Sequence, residues 1–181
     1  MPIESGDGSS RLWQLLASED AESALWSDLL LPELEREQEL VFSPLGAGPL
    51  ALGIETIYEG YLVHYGRSRL FAATEPNLAL LLGDRLYARG LVHVSQFGDV
   101  EAVTDLATLL ELCARLQAES KPGDGALWAA GIASLGSGKI KAEGDTFLRS
   151  GDSEPLLRLA EESAGAVPVE RALAVHARRF S

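Results

Sequence analysis

From Leu50 onward the chain keeps a helical rhythm. Leu50, Ile54, Ile57, Tyr58, Tyr61, Leu62 and Tyr65 repeat at three and four, the spacing that lines one side of an α-helix. "DVEAVTDLATLLELCARLQAES" does the same with Val103, Leu106, Leu109, Leu110, Cys113 and Leu116, and Asp99 stands ahead of it as an N-cap. No segment alternates as a strand would, and no unit recurs at a fixed period. The pattern predicts an all-α fold built as a helical bundle.

Around this centre the remaining segments take their places. Residues 1–10 form a Gly/Ser/Asp tail, expected to be flexible, and 11–181 a single α-helical domain, which suits a chain of 181 residues. Ser9 or Ser10 caps a helix from near Arg11 to Ser18. A second starts near Asp20, and Trp13, Leu16, Leu25, Trp26, Leu29 and Leu30 form their apolar faces. Pro32 kinks or restarts that helix, and the composition of "PELEREQEL" is that of an exposed helix face. "SPLGAGP" is a break. "EPNLALLLGDRLYARGLVHVSQFGD" opens at Pro76 and is apolar on almost every side, so it is expected to be the central, most buried helix. "ALWAAGIASLG" reads as a small-residue helix and "GSGKIKAEGD" as a loop. Two helical pieces close the chain, residues 146–164 with a break near "SGDSEP", and residues 169–180.

Charge and composition exclude some partners. Lys+Arg number 15 against Asp+Glu 27, a formal charge of −12, so the average field repels phosphate backbones and anionic lipid surfaces. No nucleic-acid partner is expected. Cys113 is the one cysteine, so there is neither an internal disulfide nor a paired spacing for zinc. No stretch approaches the roughly 18 apolar residues of a membrane span, and the N-terminus lacks a secretory pattern. The expected location is the cytoplasm.

Two stretches carry a family likeness. "GIETIYEGYLVH" resembles the helix that precedes the first aspartate-rich motif of trans-type polyprenyl diphosphate synthases, with Glu55, Leu62 and His64 on matching positions. "LLLGDRLYARG" resembles their later Gly-Asp helix through Gly83, Asp84, Leu86 and Ala88, and "GALWAAGIASLGSG" is similar to a third, small-residue helix. The likeness spans residues 50–138 and implies a truncated isoprenoid-synthase fold. Family enzymes ionise an allylic diphosphate with magnesium ions held by aspartates. Here Tyr65 and Gly66 stand where the Asp-Asp pair belongs, no Asp-Asp pair occurs in the chain, and Asp99 and Asp105 are six apart. A helix offers two carboxylates to one ion when they lie three or four apart. Glu55 and Glu59 do so, and are read as a solvated or ion-paired face. "PLGAGPL" has lost the family's bases, and Asp124 and Gly125 replace its Lys-Thr pair.

The resemblance therefore implies a non-catalytic polyprenyl-synthase-like protein with no metal and no cofactor. It would be a partner or regulatory subunit in a homo- or hetero-oligomer, an active prenyl synthase being one candidate partner. An alternative is a carrier for an apolar, prenyl-like ligand in a pocket lined by Glu55, Tyr58, Tyr61, His64, Leu82 and Leu86. Arg67 and Arg69 imitate the family's arginine pair as candidate anion contacts, and Asp84 is expected in a structural ion pair with Arg85, Arg89 or a donor of a neighbouring helix. A third alternative is unrecognised chemistry where Glu55, Glu59, His64, Arg67 and Arg69 converge. His64 alone on an apolar helix is read as a packing residue, His93 and His176 carry no stronger signal, and Cys113 is read as a buried small hydrophobe. "LGSGK" lacks the spacing of a phosphate-binding loop.

Overall fold

The structure, a computed structural model, describes residues 13, 14, 18 and 24–180. The 1–10 tail, the Ser9 or Ser10 cap, Leu16 and the expected helix starts near Arg11 and Asp20 lie outside these residues. Among the described residues the chain is all-α. A short α1 (Ala24–Ser27) precedes α2 (Ala51–Tyr65), α3 (Pro76–Ser95), α4 (Val100–Ala118) and α5 (Asp124–Ala133). Then follow α6 (Lys139–Ser150), α7 (Glu154–Ala164) and α8 (Ala166–Ala177), and 3-10 turns lie at Glu33–Glu35, Ser43–Leu45 and Gly48–Leu50. An isolated antiparallel bridge joins Leu30 to Phe71, and no described helix is long and apolar enough to cross a membrane.

Helix α2 is enclosed on every side, with ten of its 15 residues buried, Glu55 and Glu59 among them. Its stripe Gly53, Ile57, Gly60 and His64 meets α3 through a glycine seam. A Cβ on Gly53 would lie 2.8 Å from the Gly90 carbonyl oxygen, and one on Gly60 would lie 2.9 Å from that of Gly83. Both glycine pairs are seven residues apart and run in opposite senses, so the helices are antiparallel. Missing side chains let the backbones touch.

Helix α3 is not the most buried element. Only Leu82, Gly83, Leu86, Gly90 and Val94 are buried, because it packs by its glycine side against α2 and turns the opposite side outward. The more enclosed helix is α5, with eight of ten residues buried. Leu109 lies over Gly131, and His176 and Leu173 over Gly125. Helix α4 matches its sequence pattern. The Asp99 carboxylate accepts the Ala102 N–H at 2.9 Å, and Leu106, Leu109, Cys113 and Leu116 are buried.

Two segments differ from expectation. "GSGKIKAEGD" is not all loop, since α6 starts at Lys139 and buries Ile140, Gly144 and Phe147. Gly144 is a contact glycine, whose Cβ would lie 2.3 Å from Leu112 Cδ1. "PELEREQEL" is helical only in the 3-10 turn Glu33–Glu35, and residues 36–41 form no helix. Their backbone partners lie elsewhere. Glu37 N–H donates to the Arg69 carbonyl, the Gln38 carbonyl accepts Trp13 Nε1 and the Glu39 carbonyl accepts Arg69 Nη1. Tertiary hydrogen bonds override helix propensity here.

The buried apolar residues form two clusters. The larger joins α2, α4, α5, α6, α7 and α8 around Phe42, Tyr58, Tyr61 and Trp128, and the smaller unites Trp13, Leu70, Phe71, Leu82 and Leu86.

Candidate functional site

The polar groups of α2 leave the helix in three directions. Glu55 and Glu59, one turn apart, point at the loop after the helix and are fully buried, as is Arg69 of that loop. Arg69 Nη1 donates to Glu55 Oε2 at 2.7 Å and its Nε to Glu59 Oε2 at 2.8 Å. Nη1 also reaches the Glu39 carbonyl at 3.0 Å. The other carboxylate oxygens serve backbone. Glu55 Oε1 accepts Val41 N–H at 3.1 Å and Ser43 N–H at 3.0 Å. Glu59 Oε1 accepts Arg69 N–H at 2.8 Å, Leu70 N–H at 3.0 Å and the Ser68 hydroxyl.

The guanidinium lies over two rings, with Cζ 4.4 Å from the Trp13 centroid and 5.0 Å from that of Tyr58. Burial alone would lower the Arg69 pKa, but the two carboxylates beside it raise it. Two carboxylates and one guanidinium leave a single negative charge, which the four backbone N–H dipoles and the hydroxyl offset. The clamp ties α2 to residues 39–43 and 68–70 at once.

This placement decides one sequence expectation and corrects another. Of the two readings open for Glu55 and Glu59, solvated or ion-paired, the ion-paired one holds. Arg69 is no contact for an outside anion, because the anions it holds are the chain's own. Arg67 is exposed and lies 3.9 Å from Glu37, so the two arginines do not converge.

On another side of α2, Tyr58 and Tyr61 join a polar chain that sequence reading missed. Tyr58 Oη lies 2.9 Å from His176 Nδ1, and His176 Nε2 lies 3.2 Å from Asp124 Oδ2. That same oxygen accepts the Tyr61 hydroxyl at 2.6 Å, and Gln117 Nε2 donates to the Tyr61 oxygen at 2.8 Å. Phe42, Tyr58 and Phe180 rings surround His176. Asp124 and His176 are 52 residues apart, so no local spacing reveals them. The one available signal was chemical, since a buried tyrosine hydroxyl needs a partner.

Burial acts to raise the Asp124 pKa, but hydrogen bonds from His176 and Tyr61 outweigh it and hold the carboxyl below its ordinary value. A depressed folded pKa adds stability above the unfolded value of about 3.9, and that stability is lost as pH falls through the folded value. Asp124→Asn is therefore expected to cost about 1–2 kcal/mol at pH 7. The deficit should shrink below about pH 4, as denaturant midpoints at pH 7 and pH 3 would show.

On the third side His64 lies against Gly83 and Tyr87, with Nε2 3.3 Å from Asp84 Oδ1. Burial pulls its pKa down, against the opposing pull of Asp84. Asp84 finds a donor on the neighbouring helix, one of the three partners the sequence left open. Its side chain is 66 % exposed and its ion-pair partner is His64, while Arg85 sits over the Trp26 ring at 5.7 Å. Glu55, Glu59 and Arg69 thus come together, whereas His64 and Arg67 make their contacts elsewhere.

The expected apolar pocket divides in the same way. Tyr58 and Tyr61 belong to the larger apolar cluster, Leu82 and Leu86 to the smaller, and all four are fully buried. The "LGSGK" loop is also filled from within, since Asp105 Oδ2 accepts the Gly136 and Gly138 N–H groups at 2.8 and 3.1 Å. Among the described residues no cluster of His, Cys, Asp and Glu is arranged to hold a metal ion. Searches against protein-family models, curated proteins and solved structures find no match to the chain.

Proposed function

We infer that the chain is a non-catalytic protein of polyprenyl-synthase type that acts as a partner or regulatory subunit. One observation carries this reading, the outward face of α3. Leu80, Leu81 and Val92 there are 54, 55 and 57 % exposed, and Phe97 and Val100 extend the surface at 56 and 72 %. Leu81 and Val92, eleven residues apart, share the outward side of α3, and apolar side chains exposed together on one side of a helix suit the apolar surface of a partner. In an antiparallel approach of two such helices, Leu81 of one copy would oppose Val92 of the other, so the face suits a second copy as well as a related synthase.

The commitment of Glu55 and Glu59 to Arg69 supports the non-catalytic half of the reading. The carrier alternative finds no room at Tyr58, Tyr61, Leu82 and Leu86. The alternative of chemistry at His64 has to contend with an imidazole packed against Gly83 and facing Asp84.

Light scattering after size exclusion tests the reading, on the protein alone and mixed with an active polyprenyl synthase. The expected result is a homo- or hetero-complex that the exposed double variant Leu81→Lys/Val92→Lys weakens at least about tenfold, a loss of about 1.4 kcal/mol or more. A monomer under every condition, or a complex indifferent to that variant, contradicts it. So does magnesium-dependent turnover of an allylic diphosphate by the isolated chain.

A further inference from the structure

We propose that the groove between residues 38–44 and α8 binds an amphiphile with one long apolar chain and a single anionic headgroup. The groove encloses about 610 Å³, within the usual range for small-molecule sites. Its floor is Val41, Ala172 and Val175, each 2–3 % exposed. Leu40, Pro44 and Val167 stand along its sides, and Val167 is 78 % exposed. Two of its lining residues also touch the clamp through their backbone, Glu39 by the carbonyl that Arg69 holds and Val41 by the N–H that Glu55 accepts.

The occupant follows from the chemistry of the walls. A peptide laid on the floor would press its amides against Val41, Ala172 and Val175, which offer no hydrogen-bond partner from their side chains, and burying unmatched amides is costly. A hydrocarbon chain brings no such groups. The charged groups of the groove are Glu39 and Arg171. The Glu39 carboxylate is divided, with Oε1 3.4 Å from Arg171 and Oε2 3.3 Å from Arg178. Both separations exceed the roughly 2.7–2.9 Å of a tight charge-assisted bond. Arg171 thus holds one distant oxygen, where a guanidinium can take a bidentate carboxylate, and its side chain is 76 % exposed.

A ligand carboxylate arriving at Arg171 would join or displace Glu39. A more highly charged head, such as a diphosphate, would meet one groove guanidinium, the Glu39 carboxylate and a chain of net charge −12. One negative charge fits, and several do not.

Calorimetric titration of the full chain with decanoate, laurate and dodecanol tests the proposal. Laurate is expected to bind one to one, about sixteenfold tighter than decanoate, since each of its two extra buried methylenes adds about fourfold, and at least tenfold tighter than dodecanol. Arg171→Gln should bring laurate to the dodecanol level. Glu39→Gln should tighten laurate and leave dodecanol unchanged, which loss of a purely structural ion pair would not do. Ala172→Trp should abolish both, and Val167→Glu, at a side chain 78 % exposed, should weaken laurate at least tenfold.

The absence of saturable laurate binding overturns the proposal, and so does equal affinity for laurate and dodecanol. Affinity unchanged by both Ala172→Trp and Val167→Glu does the same. Native mass spectrometry in which those groove variants release a second polypeptide would instead make the groove a protein-docking face. The site lies apart from the α3 surface, so Leu81→Lys/Val92→Lys should bind laurate normally whether or not the partner reading holds.

Discussion

Arg69→Met is expected to destabilise the fold by about 3–5 kcal/mol, the cost of stranding buried charge when one partner of an ion pair is removed. Both carboxylates are inaccessible to water, so neither can be rescued by solvent once the guanidinium has gone. The loss should appear as a lowered denaturant midpoint with little change in slope. Arg69→Lys should cost about 2 kcal/mol, because an ammonium cannot span two carboxylates and the Glu39 carbonyl from one planar fork. Against a total stability of about 5–15 kcal/mol for a domain, Arg69→Met would remove a large share of what holds the fold. An unchanged midpoint would mean that Glu55 and Glu59 are not held as described.

The second large effect lies in the glycine seam. A Cβ at residue 90 would stand 2.3 Å from Ile57 Cγ1 and 2.6 Å from the Gly53 carbonyl oxygen. The side chain can swing away, but the carbonyl cannot move without parting α2 from α3. Gly90→Ala gains about 0.5–1 kcal/mol of helix propensity and loses about 1–3 kcal/mol or more to overpacking. A net loss of about 1–2 kcal/mol is expected. Gly60→Ala should be milder, its closest approaches being 2.9 Å. Thermal melts of the two variants check the order, and a rise in Tm for Gly90→Ala would show that the helices are not in contact there.

Much of this fold was legible in the residues. Helix α4 has a clean stripe and a capping aspartate, and both local signals agree with the packing. Helix α2 was legible because apolar spacing and the break at "SPLGAGP" bound it. Where glycine marks a contact rather than a turn, the pattern misleads. Gly144 made α6 look like a loop, although Ile140 and Phe147 already carried its buried face. Gly83 and Gly90 gave α3 the look of a uniformly apolar helix, yet only their side is covered. "PELEREQEL" has a helix-forming composition, but its path is fixed by donors and acceptors on Arg69, Glu55 and Trp13, far away in sequence.

The candidate site was legible by residue and not by arrangement. Glu55, Glu59 and Arg69 were all singled out, and the four-residue spacing of the glutamates correctly put them on one side of α2. That Arg69 lies between them depends on the turn after Gly66, where Arg67 N–H donates to the Arg179 carbonyl at 2.9 Å and the following residues fold back. His64 faces α3, because its register with Gly53, Ile57 and Gly60 places it on the seam. Asp124 and His176 meet only through the packing of α5 against α8, which no single-helix pattern encodes.

A double-mutant cycle bears most directly on the clamp. Urea midpoints are compared for the wild type, Arg69→Met, Glu55→Gln/Glu59→Gln, and the combination of all three. Glutamine keeps an oxygen for the Val41, Ser43, Arg69 and Leu70 N–H groups and removes the charge. If Glu55 and Glu59 serve as counter-ions, Arg69→Met should cost at least about 2 kcal/mol less in the glutamine background than in the wild type. Equal costs in both backgrounds would contradict that role and leave the two carboxylates free for other chemistry.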